Sequence, residues 1–176
     1  MYYGKFHLFY DSRGGALLHR VPWCLGKLWC DICDCYVTYV LHKYGNAVIV
    51  FNGYSGTPTT KDATHTRRCG RSVGPVVQCM PNFTVQLKIY RFLANSTNKQ
   101  RFIDRLNCYL ERAGCITKHA MHDADLLIVK TAIEQARLRD VIVIADNTDI
   151  IIVLCFHVSP TCNRIAFQPE WKRDSA

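Results

Sequence analysis

The chain has no apolar run long enough to cross a membrane. Its longest, Ile150 to Phe156, falls far below the roughly 20 residues a spanning helix needs. The first twenty residues, MYYGKFHLFYDSRGGALLHR, lack the apolar stretch of roughly 7–15 residues that marks an export signal. These two absences point to a protein kept inside the cell, nuclear or cytoplasmic, with no membrane partner. Nor is there a complete phosphate loop: GYSGTPTTK lacks the Gly-Lys-Ser/Thr ending and is interrupted by Pro58. No internal repeat or low-complexity tract appears, which excludes a repeat architecture. Acidic residues are scarce, 14 against 22 Lys and Arg, for a net charge of +8.

What is present suits one domain. The chain has 176 residues and 49% hydrophobic content, enough to bury a real core. The ten cysteines are open to several readings. Cys33, Cys108 and Cys155 fall within apolar patterns, which favours small apolar filler in a reducing compartment. Cys24, Cys30, Cys33 and Cys35 in CLGKLWCDICDC offer the alternative of a zinc knuckle completed by Cys69, Cys79 or His42. A second matched Cys pair is missing, and the same residues fall inside a helical pattern that a knuckle would break. Asn82 and Asn95 open glycosylation triplets, which carry no meaning in a chain that is not exported.

Periodicity then orders the elements. KFHLFY alternates as a strand and stops at Asp11. Trp29, Ile32, Cys33, Tyr36, Val37, Val40, Leu41 and Tyr44 keep helical spacing, ending at Gly45. AVIVF (47–51) is a short apolar run of the kind buried on both faces of a parallel sheet. Residues 57–83 hold three of the six Pro and two of the ten Gly and read as irregular. Thr97 and Gln100 form a capping box for a helix with Phe102, Ile103, Leu106, Tyr109 and Leu110 inward and Gly114 at its end. CITKHA reads as a strand, Asp123 opens a helix to about Arg137, and VIVIA (141–145) is a buried strand followed at once by Asp146. Trp23 and Trp29 are expected in the core. Strands separated by helices must cross over, so the expected fold is α/β with a mainly parallel central sheet flanked by helices. The expected domain is 1–160, with 161–176 a strand and tail that a longer parent protein would continue.

Each expected strand ends in an acid or an amide of the same shape. Asp11 follows the first, Asn52 the second, Asp123 and Asp125 the third, and Asp146, Asn147 and Asp149 the fourth. In a parallel sheet these side chains meet beyond the carboxyl ends of the strands. Converging hard oxygens suit Mg²⁺ or Mn²⁺, and two such ions about 4 Å apart serve phosphodiester hydrolysis. The bland alternative is helix capping, which suits Asp and Asn at helix starts but not Asp125 or Asp149 just inside them. Charge supplies the partner. The window from Lys61 to Arg101 holds eight basic residues against Asp62 alone, a net +7, and suits a polyanion unless it is merely a solvated face.

These motifs carry a family resemblance. VIVFNGYSGTPTTKDATHTRRC resembles the segment of PIN-like, flap-endonuclease-related nucleases in which a strand ends in Phe-Asp-Gly and leads to a Lys and an Arg-Arg pair. HDADLLIVKTAI resembles their acidic pair opening a helix, VIVIADNTDIIIVL their strand ending in Asp-x-Asp, and DSRGGALLHRVPW their first strand with its Asp. The resemblance covers most of residues 7–157 and extends to PIN-like proteins with FLANSTNKQRFI and DNTD-type motifs, of the kind mobile elements carry. It implies a metal-dependent nuclease acting on DNA or RNA with Mg²⁺ or Mn²⁺. Asp123, Asp125 and Asp149 would be ligands, and Asp146 and Asp11 auxiliaries. Lys61, Arg67, Arg68 and Arg71 would hold phosphates, and metal-bound water would be the nucleophile. His119 and His122 are expected as surface or supporting residues. Two departures weaken the implied site, since Asn52 and Asn147 stand where the family has Asp and supply an oxygen without charge. The spacing of Asp11 from Gly14 and Gly15 also puts Arg13 at the usual ligand position. The implied alternative is an inactive relative that binds nucleic acid or a protein.

Overall fold

In the computed structural model, residues 6–11, 17–52, 75–120, 124–145, 147–159 and 161–169 are described. Val48, Val50 and their neighbours Ile49 and Phe51 are all buried although they alternate in direction. That is possible only where both faces of a strand are covered, as in a parallel sheet. Val48 and Val50 pack with one set of helices, Ile49 and Phe51 with another.

The strands are β1 (Phe6–Asp11), β2 (Val48–Asn52), β3 (Ile116–Ala120), β4 (Val141–Ala145) and β5 (Ile165–Pro169). Between them run α1 (Trp29–Tyr44), α2 (Ile89–Leu93), α3 (Ser96–Arg112), α4 (Ala124–Ala136) and α5 (Asp149–His157). All pairings are parallel, in the order β3-β2-β1-β4-β5. The α/β class expected from the sequence is therefore observed. From β1 the chain moves outward through β2 to β3, then returns across the sheet to β4 and β5. The order reverses between β1 and β4, the place where open α/β sheets form a crevice at their carboxyl edge.

Core residues Ile32, Cys33, Tyr36 and Val40 of α1 recur at helical spacing, which gives the helix its buried stripe. Gly45 ends it with φ 66°, a left-handed conformation that glycine adopts without strain, and its N–H reaches Leu41 O at 3.0 Å. Trp23, Trp29, Phe92 and Phe102 form an aromatic cluster beside α1, with the two indoles edge to face at 5.2 Å and 87°. Tyr36 ties it to the chain: its hydroxyl accepts from Trp23 Nε1 at 2.9 Å and donates to Leu18 O.

Three expectations need correction. The cap of α3 is Asn95, whose side chain accepts from Asn98 N at 3.2 Å, not Thr97, which lies inside the helix. The short helix α2 stands in a stretch where no element was expected. Cys108 and Cys155 are exposed rather than filler, while Cys33 is buried as expected. Among the described residues no helix is long and apolar enough to cross a membrane.

Candidate functional site at the carboxyl edge of the sheet

The rim is built from strand ends. Asp11 is the last residue of β1 and Asn52 the last of β2, where it stands in register with Ala120 of β3. Helix α4 leaves the edge strand β3 and must return across β2 and β1 to reach β4. Its first turn carries Asp125, half-buried. The turn after β4 carries Asn147, and Asp149 opens α5 with an exposed side chain.

Asn147 joins these parts. Its Nδ2 donates to Asp125 Oδ2 at 3.1 Å, and its Oδ1 accepts from the Asp149 backbone N–H at 3.0 Å. The second contact is an Asx turn, which supplies an acceptor for an otherwise free helix-start N–H. The first is one that aspartate at this position could not make. Two carboxylates at that separation repel unless a proton or a cation lies between them. The amide therefore does locally what a bound cation would otherwise do, holding the Asp125 carboxylate without net repulsion.

The sequence-expected residues divide accordingly. The structure brings Asp125, Asn147 and the start of α5 at Asp149 together, and puts Asp11 and Asn52 at the same edge of the sheet. Asp123, Asp146, Lys61, Arg67, Arg68 and Arg71 lie outside the described residues. The bridging role of Asn147 was not expected. Its signal is the Asn-Thr-Asp run itself, since Asn two residues before a helix-start N–H is the usual Asx-turn arrangement.

Below the rim, His119 stacks on Phe51 with centroids 5.9 Å apart at 29°, and its Nε2 meets Asn107 Nδ2. These contacts make His119 a partly supported surface residue, as expected. Among the described residues no three His, Cys, Asp or Glu side chains are grouped to hold a metal. The zinc alternative meets the obstacle expected, because α1 runs unbroken through Cys30, Cys33 and Cys35 where a knuckle turn would interrupt it. Burial pushes the Cys33 thiol up to about 12 and the Cys79 thiol up to about 11, against the opposing pull of Arg105. Cys69, one of the residues that would complete the knuckle, lies outside the described residues.

Comparison with family models, curated proteins and solved structures gives no match.

Proposed function

We propose that the chain is a PIN-like nuclease domain that hydrolyses nucleic-acid phosphodiester bonds with Mg²⁺ or Mn²⁺. The observation that carries this reading is the meeting of Asp125 with Asn147, 22 residues later in the chain, at the carboxyl edge of a parallel sheet whose strand order reverses beside it. The donor chemistry fits such an ion, being all oxygen and hard. In this reading Asp123 and Asp146 supply the balance of the negative charge. Asp125 and Asp149, with Asp123, Asp146 and Asp11, would hold the ion, and Asn52 and Asn147 would add neutral oxygens. When bound, such an ion polarises a phosphoryl oxygen and acidifies water. The chain's own residues orient: Asn147 fixes the Asp125 carboxylate, and Lys61, Arg67, Arg68 and Arg71 hold backbone phosphates.

The Asn147 amide also favours a second reading. A carboxylate with one oxygen already accepting an N–H donor has less need of a cation, which fits a module that binds nucleic acid and cleaves it slowly or not at all. Labelled single-stranded, duplex and flap substrates of DNA and RNA, incubated with Mg²⁺ or Mn²⁺, separate the two. Weak cleavage is expected from the wild type, loss with Asp125→Ala, and a gain of about tenfold or more with Asn52→Asp combined with Asn147→Asp, each acid restoring charge to the ion site. Cleavage indifferent to all three changes sinks the nuclease reading. Salt-dependent binding with no cleavage by any variant selects the second reading.

A further inference from the structure

A second polar feature lies away from the rim. The extended segment 78–81 and the outer face of α3 enclose a cleft of about 710 Å³. Arg101, Arg105, Tyr109 and Arg112 line it, spaced so that all four lie on one helix face. Only Asp104 opposes them in the lining, and its Oδ1 accepts from Gln100 Nε2 at 2.6 Å. Among the described residues, none of the three arginines forms an ion pair. Arg105 is the least satisfied of them, since its Nε is shielded from solvent with no acceptor. Desolvating a guanidinium N–H without a partner is unfavourable, and an anion in the cleft would offset that cost.

Length chooses the kind of anion. Arg101 and Arg112 are roughly 17 Å apart along the helix axis at 1.5 Å per residue, too far for one phosphate to bridge. A row of cations with an aromatic ring among them is the pattern that tracks a phosphate backbone and stacks a base. The row also has a direction. In a parallel sheet, the helix between β2 and β3 runs from the carboxyl edge back to the amino edge, so Arg101 stands nearer the rim and Arg112 farther away.

We infer that this cleft binds a single strand of nucleic acid, with Arg101, Arg105 and Arg112 on its phosphates and Tyr109 against a base. The choice of a nucleic-acid polymer rests on the functional reading above, but neither metal nor cleavage enters it. Binding is therefore measured in EDTA, by fluorescence anisotropy of labelled oligo-dT and oligo-U strands of about twenty nucleotides, long enough to cover the cleft. The variant is Arg101→Glu with Arg112→Glu, both residues exposed, with circular dichroism and thermal melting confirming that it folds. Affinity is expected to fall about tenfold or more, and the salt slope by about two, one for each lost phosphate contact.

Cys108 gives a local readout because it is an exposed thiol in the cleft wall. Its alkylation by N-ethylmaleimide, followed by peptide mass spectrometry, should slow about threefold or more when the strand is bound, on the scale expected for occupied single-strand sites. Cys24 and Cys155, exposed elsewhere, should not change. Unchanged affinity in the folded variant, or an unprotected Cys108 at saturating strand, overturns the inference. Protection by adenosine monophosphate at equal phosphate concentration overturns the polymer in favour of a free nucleotide. Phe156→Ser, at an exposed residue of α5, should bind and protect as the wild type does. If it does so while no variant cleaves, the nuclease reading fails and the cleft stands.

Discussion

The two faces of the sheet are covered by different chemistry. On the α1/α3 face the buried residues include Trp29, Tyr36, Phe51, Phe92 and Phe102. On the α4/α5 face the fully buried set has no aromatic member among the described residues, and five of its residues are alanines, Ala120, Ala124, Ala132, Ala136 and Ala145. Bulky rings fill the wide space between two crossing helices and a sheet, and they lock that layer by shape. Small side chains let a helix approach the strands closely. Because α4 sits close, its first turn reaches the rim and Asp125 meets Asn147. One face supplies the aromatic packing, and the other supplies the position of the candidate site.

Breaking the aromatic layer should have the largest effect. Phe102→Ala, at a site with no solvent exposure, is expected to cost about 3–5 kcal/mol in chemical denaturation and to leave the Asp125 region's properties unchanged in whatever remains folded. The converse change, Ala132→Leu, should cost about 1–3 kcal/mol by overpacking and should also lift α4 from the sheet. If both variants disturb only stability and neither touches binding or cleavage, the division of labour between the faces is wrong.

Alkaline pH tests the aromatic side more gently. The Cys33 and Cys79 thiols are raised by burial from an ordinary value of 9.0 to about 12 and about 11. A group whose folded value is raised contributes stability that is whole below the unfolded value and lost as pH climbs towards the folded one. Stability from denaturant titration should therefore hold up to about pH 9 and fall between about pH 9 and 12, by an amount on the order of a few kcal/mol. Cys33→Ala should flatten that fall. A midpoint independent of pH over this window would show that the thiols ionise in place.

Asn147→Asp sharpens the comparison from the other face. In EDTA near neutral pH it should lower stability by about 1–3 kcal/mol, because it replaces a hydrogen bond by two facing carboxylates. Acidification should restore the loss, and Mn²⁺ should restore it if the rim takes a cation. Rescue by acid alone favours the binding module over the nuclease.

The smallest change is expected on the outer side of α5, where Ile152 is 71% and Phe156 is 85% exposed. Phe156→Ser should move stability by no more than about 0.5 kcal/mol, since almost no area is withdrawn from the core. A larger loss, read by the same denaturation, would mean that α5 is held by more than Ile150 and Leu154, its two buried residues.

The elements were legible wherever one residue pattern dominated. VIVIA coincides with β4, and α1 ends at the glycine its periodicity pointed to. The cap of α3 was misread because Asn95, Ser96 and Thr97 are all good cap residues in succession, and only the packing of Phe102 and Ile103 against the core fixes which one starts the helix. Strand order was beyond reach, because pairing Phe6 of β1 with Val141 of β4, 135 residues on, leaves no local mark. At the rim, Asp11 and Asn52 end β1 and β2, where the apolar runs before them pointed. What the sequence could not convey was that Asn147 would face Asp125, since that depends on how closely α4 approaches. Exposure of Cys108 was missed for a related reason: it neighbours inward residues on α3 but points the other way.

The buried cap of α3 has one more consequence. Asn95 is only 5% exposed, and its amide oxygen already accepts the Asn98 N–H. An enzyme attaching an oligosaccharide to that amide would have to extract the side chain and unwind the start of the helix. Folding and modification compete for the same side chain here, and in the finished fold the helix holds it by its oxygen.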